Sequence, residues 1–150
     1  MRAAVHRAFR LSAQREKELL TEVGAHLQPG GSCRALGPRE ARTRISRSFA
    51  GDGWACRVPV LGSNLTVSFL RGSTAVCVQL GNVARTYADL LKLQSLFAAG
   101  RIQDSIMVVP GEALSRDLGS NHASFDRLER ELELFSSVID VPLLLVGADD

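Results

Sequence analysis

Several features that would assign the chain to a common functional class are missing from the sequence. The three cysteines are an odd number without C-x-x-C spacing, so neither a disulfide framework nor a zinc site is indicated. Aromatic residues make up only 5% of the chain and do not mark a surface on which single-stranded nucleic acid would stack. No run approaches the roughly eighteen apolar residues of a membrane span, and the amino terminus lacks the apolar core of a signal peptide. We therefore expect a cytoplasmic protein with no membrane partner.

The length and the charge distribution favour one folded domain with a basic amino-terminal part. A chain of 150 residues that is 45% hydrophobic can bury one core, so we expect a single domain over residues 1–150. The net charge of +2 hides an asymmetry, because residues 1–57 carry eleven basic against five acidic side chains and residues 58–150 carry seven against eleven. The basic part suits contact with a polyanion such as nucleic acid, although the acidic remainder could equally be its internal counterpart.

Residues 65–79, LTVSFLRGSTAVCVQ, have the pattern of a β-hairpin. Two short runs rich in β-branched and aromatic residues flank Gly72-Ser73, a pair suited to a two-residue type II′ turn. This turn fixes the register of the two strands. The resulting pairs are Arg71 with Thr74, Phe69 with Val76, and Ser68 with Cys77.

The two faces of this hairpin differ because side chains alternate along a strand. The apolar face is expected to hold Leu65, Val67, Phe69, Val76, Val78 and Leu80, and the small polar face Thr66, Ser68, Cys77 and Gln79. Directly opposed residues have Cβ atoms about 4.5–5.5 Å apart, the spacing that two carboxylates would need to share one magnesium ion. On the polar face, Ser68 and Cys77 form that pair.

The hairpin and the residues after it resemble a known family. The stretch VSFLRGSTAVCVQLGN, followed by a helix with Leu-Leu-Lys, is similar to type II restriction endonucleases of the BglII and BstYI group, which have the PD-(D/E)XK fold. The resemblance covers residues 54–110, with QLGN at 79–82, DLLKLQ at 89–94 and MVVP at 107–110 as its best parts. It implies a restriction endonuclease-like α/β fold, in which helices flank a mixed sheet made of an antiparallel meander and crossover strands.

The resemblance also implies a degenerate active site. In that family an Asp on the first strand, and an acidic residue two positions before a Gln or Glu on the second, project onto the metal-binding face. The resemblance places Ser68 and Cys77 at the two acidic positions and keeps only Gln79. Because magnesium needs hard anionic oxygens, we expect no metal, no other cofactor and no hydrolysis by this trio. A displaced carboxylate, Glu40 or Asp52, would restore magnesium-dependent chemistry and remains an alternative.

Basic residues suggest where a polyanion would bind. They lie along the second predicted helix and just after the hairpin, a region that in the resembling enzymes helps to form the dimer and the DNA cleft. The alternative for the helix is an ordinary solvated face. The candidate nucleic-acid-binding residues are Arg39, Arg42, Arg44, Arg47, Asn82, Arg85 and Lys92.

The remaining pattern predicts helices and strands around this core. Helices are expected over 5–27, 39–49, 84–98 and 126–138, the first ended by Pro29-Gly30-Gly31, and strands over 56–61, 105–109 and 141–146. Because a helix precedes it, the strand at 105–109 should join the sheet by a crossover and run parallel to 75–80. The domain then consists of a helical basic part (1–50), a nuclease-like core (54–110) and a terminal helix and strand (122–147), with a frayed end at Asp149-Asp150.

Three hypotheses for function follow. The leading one is a catalytically degenerate restriction-endonuclease-like protein, a pseudonuclease that binds double-stranded DNA or a DNA-processing complex. The second is an active magnesium-dependent DNA endonuclease that uses relocated carboxylates. The third is a protein-interaction or assembly subunit that binds no nucleic acid. A homodimer is compatible with each of them.

Overall fold

The computed structural model describes residues 1–27, 33–119 and 121–150, with side chains described from residue 37 in the second range. The elements in chain order are β1 (Arg2–Phe9), α1 (Ala13–Leu27), α2 (Cys33–Gly51), β2 (Ala55–Pro59), β3 (Thr66–Arg71), β4 (Thr74–Val78), α3 (Val83–Ala98), β5 (Asp104–Pro110), α4 (Glu112–Leu118), α5 (Phe125–Leu134), a 3-10 turn (Phe135–Ser137) and β6 (Leu143–Asp149). A non-helical Gly37 interrupts α2 just before Pro38. In the described ranges, no helix is both long and apolar enough to cross a bilayer.

Six strands form one mixed sheet in the order β1-β6-β5-β4-β3-β2. The central strands β4, β5 and β6 are parallel to one another. β2, β3 and β4 form an antiparallel meander, and β1 lies at the other edge, antiparallel to β6. The α/β class, the meander and the crossover strand parallel to β4 are therefore confirmed.

The hairpin has the register that its turn predicts. Phe69 pairs with Val76, Leu70 with Ala75 and Arg71 with Thr74, and Gly72 has the positive φ (57°) that a glycine-first turn requires. The predicted apolar face is confirmed for Phe69, Val76, Val78 and Leu80, which share one core cluster. It is wrong for Val67, which packs in the cluster on the other face, and for Leu65, which precedes the first residue of β3 and is exposed.

Helices cover both faces of the sheet. On one face the apolar sides of α1 and α2 pack against Val76 and Val78, and on the other those of α3 and α5 pack with Ala75 and Cys77. All five residues of β4 and all seven of β5 are buried, which explains why these strands are continuous apolar runs rather than alternating ones. Consequently α2 and α3 approach the end of β4 from opposite faces of the sheet.

The sequence predicted that the first helix would begin at residue 5, but the amino-terminal residues are not helical. Arg2–Phe9 form strand β1, and the helix begins only at Ala13. β1 pairs with β6 from Arg2 opposite Asp149 to Phe9 opposite Leu143. Backbone pairing with a buried neighbouring strand outweighs the weak helical spacing of Val5 and Phe9. The predicted helix break at Pro29-Gly30-Gly31 lies outside the described residues.

The carboxyl terminus also differs from the prediction of a frayed end. Asp149 is the last residue of β6, and its Oδ1 accepts a hydrogen bond from the backbone N–H of Leu114 at 2.8 Å. This contact stabilises the first turn of α4, a helix that the sequence did not predict. Gly111 allows the approach, since a Cβ there would lie 2.6 Å from a carboxylate oxygen of Asp149.

A partly buried polar cluster joins α1 to the start of the parallel strands. Arg15 donates to both oxygens of Asp104 (2.7 and 3.2 Å) and to the hydroxyl of Thr74 (2.9 Å). The Thr74 hydroxyl in turn donates to Asp104 at 2.6 Å. Because Thr74 and Asp104 begin β4 and β5, this cluster fixes α1 against the hydrogen-bonded pair of strands that leads to the cleft described below.

We expect the substitution Asp104→Asn to lower the free energy of unfolding by about 1–3 kcal/mol, because it removes the buried carboxylate that accepts from both Arg15 and Thr74 and leaves Arg15 only its more exposed carboxylate partner Glu18. Urea unfolding of the wild type and the variant measures this difference in free energy. Arg116→Gln is the control, since it removes a pair with Glu112 in which both side chains are about 70% exposed, and it should cost less than about 1 kcal/mol. Equal losses in the two variants would contradict the importance of the cluster.

Candidate nucleic-acid interface

A cleft of about 660 Å³ lies at the carboxyl end of β4, between α2 and α3. The end of a parallel strand between two helices is a common place for a ligand site in α/β proteins. The first half of β3 and two residues of β2, Cys56 and Arg57, complete its walls. The cleft is therefore built on the hairpin that the sequence singled out.

The two helices line the cleft with the same spacing. Arg39, Arg42, Thr43 and Ser46 of α2 and Arg85, Ala88, Asp89 and Lys92 of α3 lie at positions i, i+3, i+4 and i+7. Residues with this spacing share one side of a helix. The adjoining sides of the helices, with Ile45 and Phe49 on α2 and Leu90 and Leu93 on α3, are buried in the core. Core packing thus turns both polar stripes toward the cleft.

The cleft is strongly basic. Among the described residues that line it, the cations are Arg39, Arg42, Arg57, Arg85 and Lys92 and the one carboxylate is Asp89, which gives a net charge of +4. Among the described residues, none of the four arginines forms an ion pair. Uncompensated charge of one sign in a concave site concentrates ligands of the opposite sign.

The structure separates the three residues of the predicted polar face. Ser68 lines the cleft, and its hydroxyl accepts a hydrogen bond from the backbone N–H of Val78 at 3.0 Å. Gln79 lines the cleft as well, although it is only 5% exposed. Cys77, 1% exposed, is packed in the core beneath α3, so an open face holding all three side chains is wrong. The alternation of side chains along a strand predicts the face of the sheet on which a residue lies, but it does not predict whether a helix covers that face.

The thiol of Cys77 is chemically inert in the fold. Burial, with the nearby negative charge of Asp89 as a smaller contribution, raises the pKa of the Cys77 thiol far above its ordinary value. A protonated, buried thiol is neither a nucleophile nor a metal ligand. Cys77 therefore contributes packing rather than chemistry.

Asp89, like Arg57, is a residue of the site that the sequence reasoning missed. Its Oδ1 accepts a hydrogen bond from the Lys92 ammonium at 2.7 Å, and its Oδ2 accepts one from Nε2 of Gln79 at 3.2 Å. Oε1 of Gln79 accepts from the backbone N–H of Gly81 at 3.1 Å. The signal in the sequence was the i, i+3 spacing of Asp89 and Lys92 on a predicted helix.

The two carboxylates considered for a displaced metal site lie elsewhere. Glu40 pairs with Arg44 on the same helix at 3.3 Å and does not line the cleft. Asp52 pairs with Arg71 at 2.9 Å and lines a different cavity, beside α1.

The predicted nucleic-acid-binding residues divide into two groups. Arg39, Arg42, Arg85 and Lys92 line the cleft, and Asn82 lines an adjoining cavity that shares the first three of them. Asn82 also caps α3 by accepting a hydrogen bond from the backbone N–H of Ala84. Arg44 and Arg47 lie on α2 outside both cavities.

The donor set does not fit the magnesium ion that the resemblance implies. Magnesium prefers carboxylate and water oxygens in octahedral geometry. In the described part of the chain, no group of three or more His, Cys, Asp or Glu side chains is placed to hold a metal ion. The one carboxylate of the cleft is already paired with an ammonium group.

Comparisons with known proteins agree with this architecture. The family model of restriction endonucleases BglII and BglIII matches residues 4–148. The crystal structure of restriction endonuclease BglII complexed with a DNA 16-mer matches with a TM-score of 0.78 at 15% identity, over 97% of this chain and 76% of that chain. The crystal structure of free BglII matches with a TM-score of 0.68 at 17% identity, over 97% and 79%. No curated protein matches the sequence. The predicted restriction endonuclease-like fold is confirmed.

Because the Cys77 thiol is buried, we predict that the free energy of unfolding depends on pH. The pKa of Cys77 is raised in the folded protein, so the thiol ionises at a lower pH in the unfolded chain. The contribution of the buried thiol to stability is therefore present below the ordinary thiol pKa of 9.0 and is lost as pH rises above it. We expect the advantage of the wild type over Cys77→Ala in unfolding free energy to shrink by about 1.4 kcal/mol per pH unit above 9. Urea unfolding at pH 7 and pH 10 measures it, and a constant difference would show that the thiol is not buried.

Proposed function

Because the chain belongs to the BglII/BglIII family of restriction endonucleases, we propose that it binds double-stranded DNA in the basic cleft without cutting it. The observation that carries the proposal is the uncompensated charge of +4 at the cleft. The fold-related BglII crystal structure contains a DNA 16-mer, which supports a duplex as the ligand.

The cleft suits the phosphate backbone. Arginine guanidinium groups bind phosphate oxygens in a bidentate manner, and such contacts supply most of the sequence-independent affinity for DNA. Arg39 and Arg42 lie on α2, Arg85 lies on α3, and none of them has an internal carboxylate partner among the described residues. Phosphate contacts of this kind hold a duplex in place without reading its sequence.

The same site supports binding without hydrolysis. Cleavage by this fold requires anionic oxygens that hold a metal ion and neutralise charge on the phosphate. At the corresponding positions the chain has a hydroxyl, a buried thiol and an amide, and Glu40 and Asp52 lie outside the cleft. A pseudonuclease is therefore favoured over an active endonuclease with displaced acids.

DNA binding is tested by fluorescence anisotropy of a labelled duplex between 50 and 200 mM salt. If four or five phosphates are neutralised, the slope of log K against log salt should be about −3.6 to −4.5. Arg42→Gln should make this slope less steep by about one, whereas Arg47→Gln, on the same helix but outside the cleft, should change it less.

Plasmid DNA incubated with the protein and magnesium or manganese should remain uncut. Metal-dependent cutting would establish the active-endonuclease alternative instead. Absence of DNA binding at low salt would leave the protein-interaction hypothesis.

We infer that the protein also forms a homodimer through an apolar patch on α3 and the 3-10 turn that follows α5. Leu91, Phe135 and Val138 are 56%, 37% and 62% exposed. Tyr87, one helical turn before Leu91, packs edge-on against Phe135, with 6.2 Å between ring centroids, which brings these side chains onto one surface. Grouped exposed apolar side chains are typical of protein interfaces.

Sedimentation velocity tests the dimer. The wild type should sediment as a dimer at micromolar concentration, and Leu91→Glu should shift it toward the monomer because a charge would be buried at the interface. Leu61→Glu is the matched control, since Leu61 is equally exposed, at 55%, but lies after β2. A wild-type monomer at high concentration would refute the interface.

A further inference from the structure

A chain of polar contacts forms one side of the cleft. The backbone N–H of Gly81 donates to Gln79 Oε1, Gln79 Nε2 donates to Asp89 Oδ2, and the Lys92 ammonium donates to Asp89 Oδ1. Both ends of the Gln79 amide and both oxygens of the carboxylate therefore already have partners. With one negative and one positive charge, this network is neutral and held within one turn of α3 and the end of β4.

A divalent ion would have to break this network. The side chains of Asp89 and Lys92 are only 10% and 17% exposed, so the ammonium lies beside the carboxylate in a site that screens charge poorly. An ion bound to Asp89 would face repulsion from Lys92. It would also lack a second protein anion, because Ser68 is neutral and Cys77 is buried and protonated. The packing around Asp89 and Lys92 therefore does not suit the divalent metal ion that the fold family implies.

Lys92 has the properties of a phosphate ligand. An ammonium group has three donors, and one of them is used by Asp89. The Lys92 side chain lines the cleft together with Arg42 and Arg85, so a phosphate oxygen can reach it among further cations. The bond to Asp89 restrains a side chain that is otherwise flexible, which reduces the entropy lost when the phosphate binds.

The geometry points to Lys92 as a built-in replacement for the divalent ion: its ammonium, positioned by Asp89, binds a phosphodiester oxygen of the DNA backbone, so that DNA binding is independent of divalent metal. This inference rests on the proposed DNA binding and specifies its chemistry at one position. Asp89 is a positioning residue in this account, because it acts through Lys92 rather than on the DNA.

The test is duplex DNA binding by fluorescence anisotropy at constant ionic strength, with EDTA, magnesium or calcium. The wild type should bind with the same Kd within about twofold in all three conditions. Lys92→Met should raise Kd about tenfold and make the salt slope less steep by about one. Lys17→Met is the matched control because the only other lysine lies on α1, beside a different cavity, and it should change neither quantity.

Further variants separate the loss of the cation from exposure of the carboxylate. Lys92→Met leaves Asp89 unpaired, and its charge would repel phosphate, so Lys92→Met combined with Asp89→Asn should bind better than Lys92→Met alone. Lys92→Arg should keep metal-independent binding because a cation remains. Thermal unfolding of every variant checks that the fold is retained. If Lys92→Met is unstable, the double variant decides the matter, because it removes the cation without leaving Asp89 unpaired and should bind DNA more weakly than the wild type.

The outcomes distinguish the two proposals. Binding in EDTA that is sensitive to Lys92→Met but not to Lys17→Met supports the inference. Binding only with magnesium or calcium, or one manganese ion per chain detected by electron paramagnetic resonance and lost in Asp89→Asn, would overturn it and leave DNA binding intact. Failure to bind DNA in every condition would reject the proposed function itself.

Discussion

The hydrogen bond between Gln79 and Asp89 determines what the cleft can hold, because it ties the end of β4 to α3 and places a carboxylate in a poorly solvated position. A buried charge needs a partner, and Lys92 on the next turn of α3 provides it. The single anion of the cleft is thereby neutralised. Among the described residues, the arginines that carry the remaining charge form no ion pair, so the site attracts anions and offers little to a metal ion.

The rest of the fold supports this arrangement. α2 and α3 bury their apolar sides on opposite faces of the sheet, and the polar side of each helix meets the cleft as a stripe. The cluster of Arg15, Thr74 and Asp104 fixes the other ends of β4 and β5, so the strand that carries Gln79 is held at its start as well. The core of the scaffold therefore does not depend on carboxylates in the cleft.

Local chemistry explains what the sequence could predict. A two-residue turn at Gly72-Ser73 sets the register of the hairpin, and a helix before residues 105–109 implies a parallel crossover, so both were predictable. Strand β1 was not predictable, because its extended geometry depends on pairing with β6, which is distant in the sequence. The burial of Cys77 depends on α3 lying over it, and the role of Asp89 depends on Gln79, ten residues away in the chain. These features require the tertiary structure.

The most direct test of the account is a crystal structure of the protein with duplex DNA, grown in manganese and analysed for anomalous scattering. The account predicts a backbone phosphate within hydrogen-bond distance of the Lys92 ammonium, Asp89 still bonded to Gln79, and no manganese peak in the cleft. A manganese ion bound to Asp89, with Lys92 displaced from the phosphate, would contradict it.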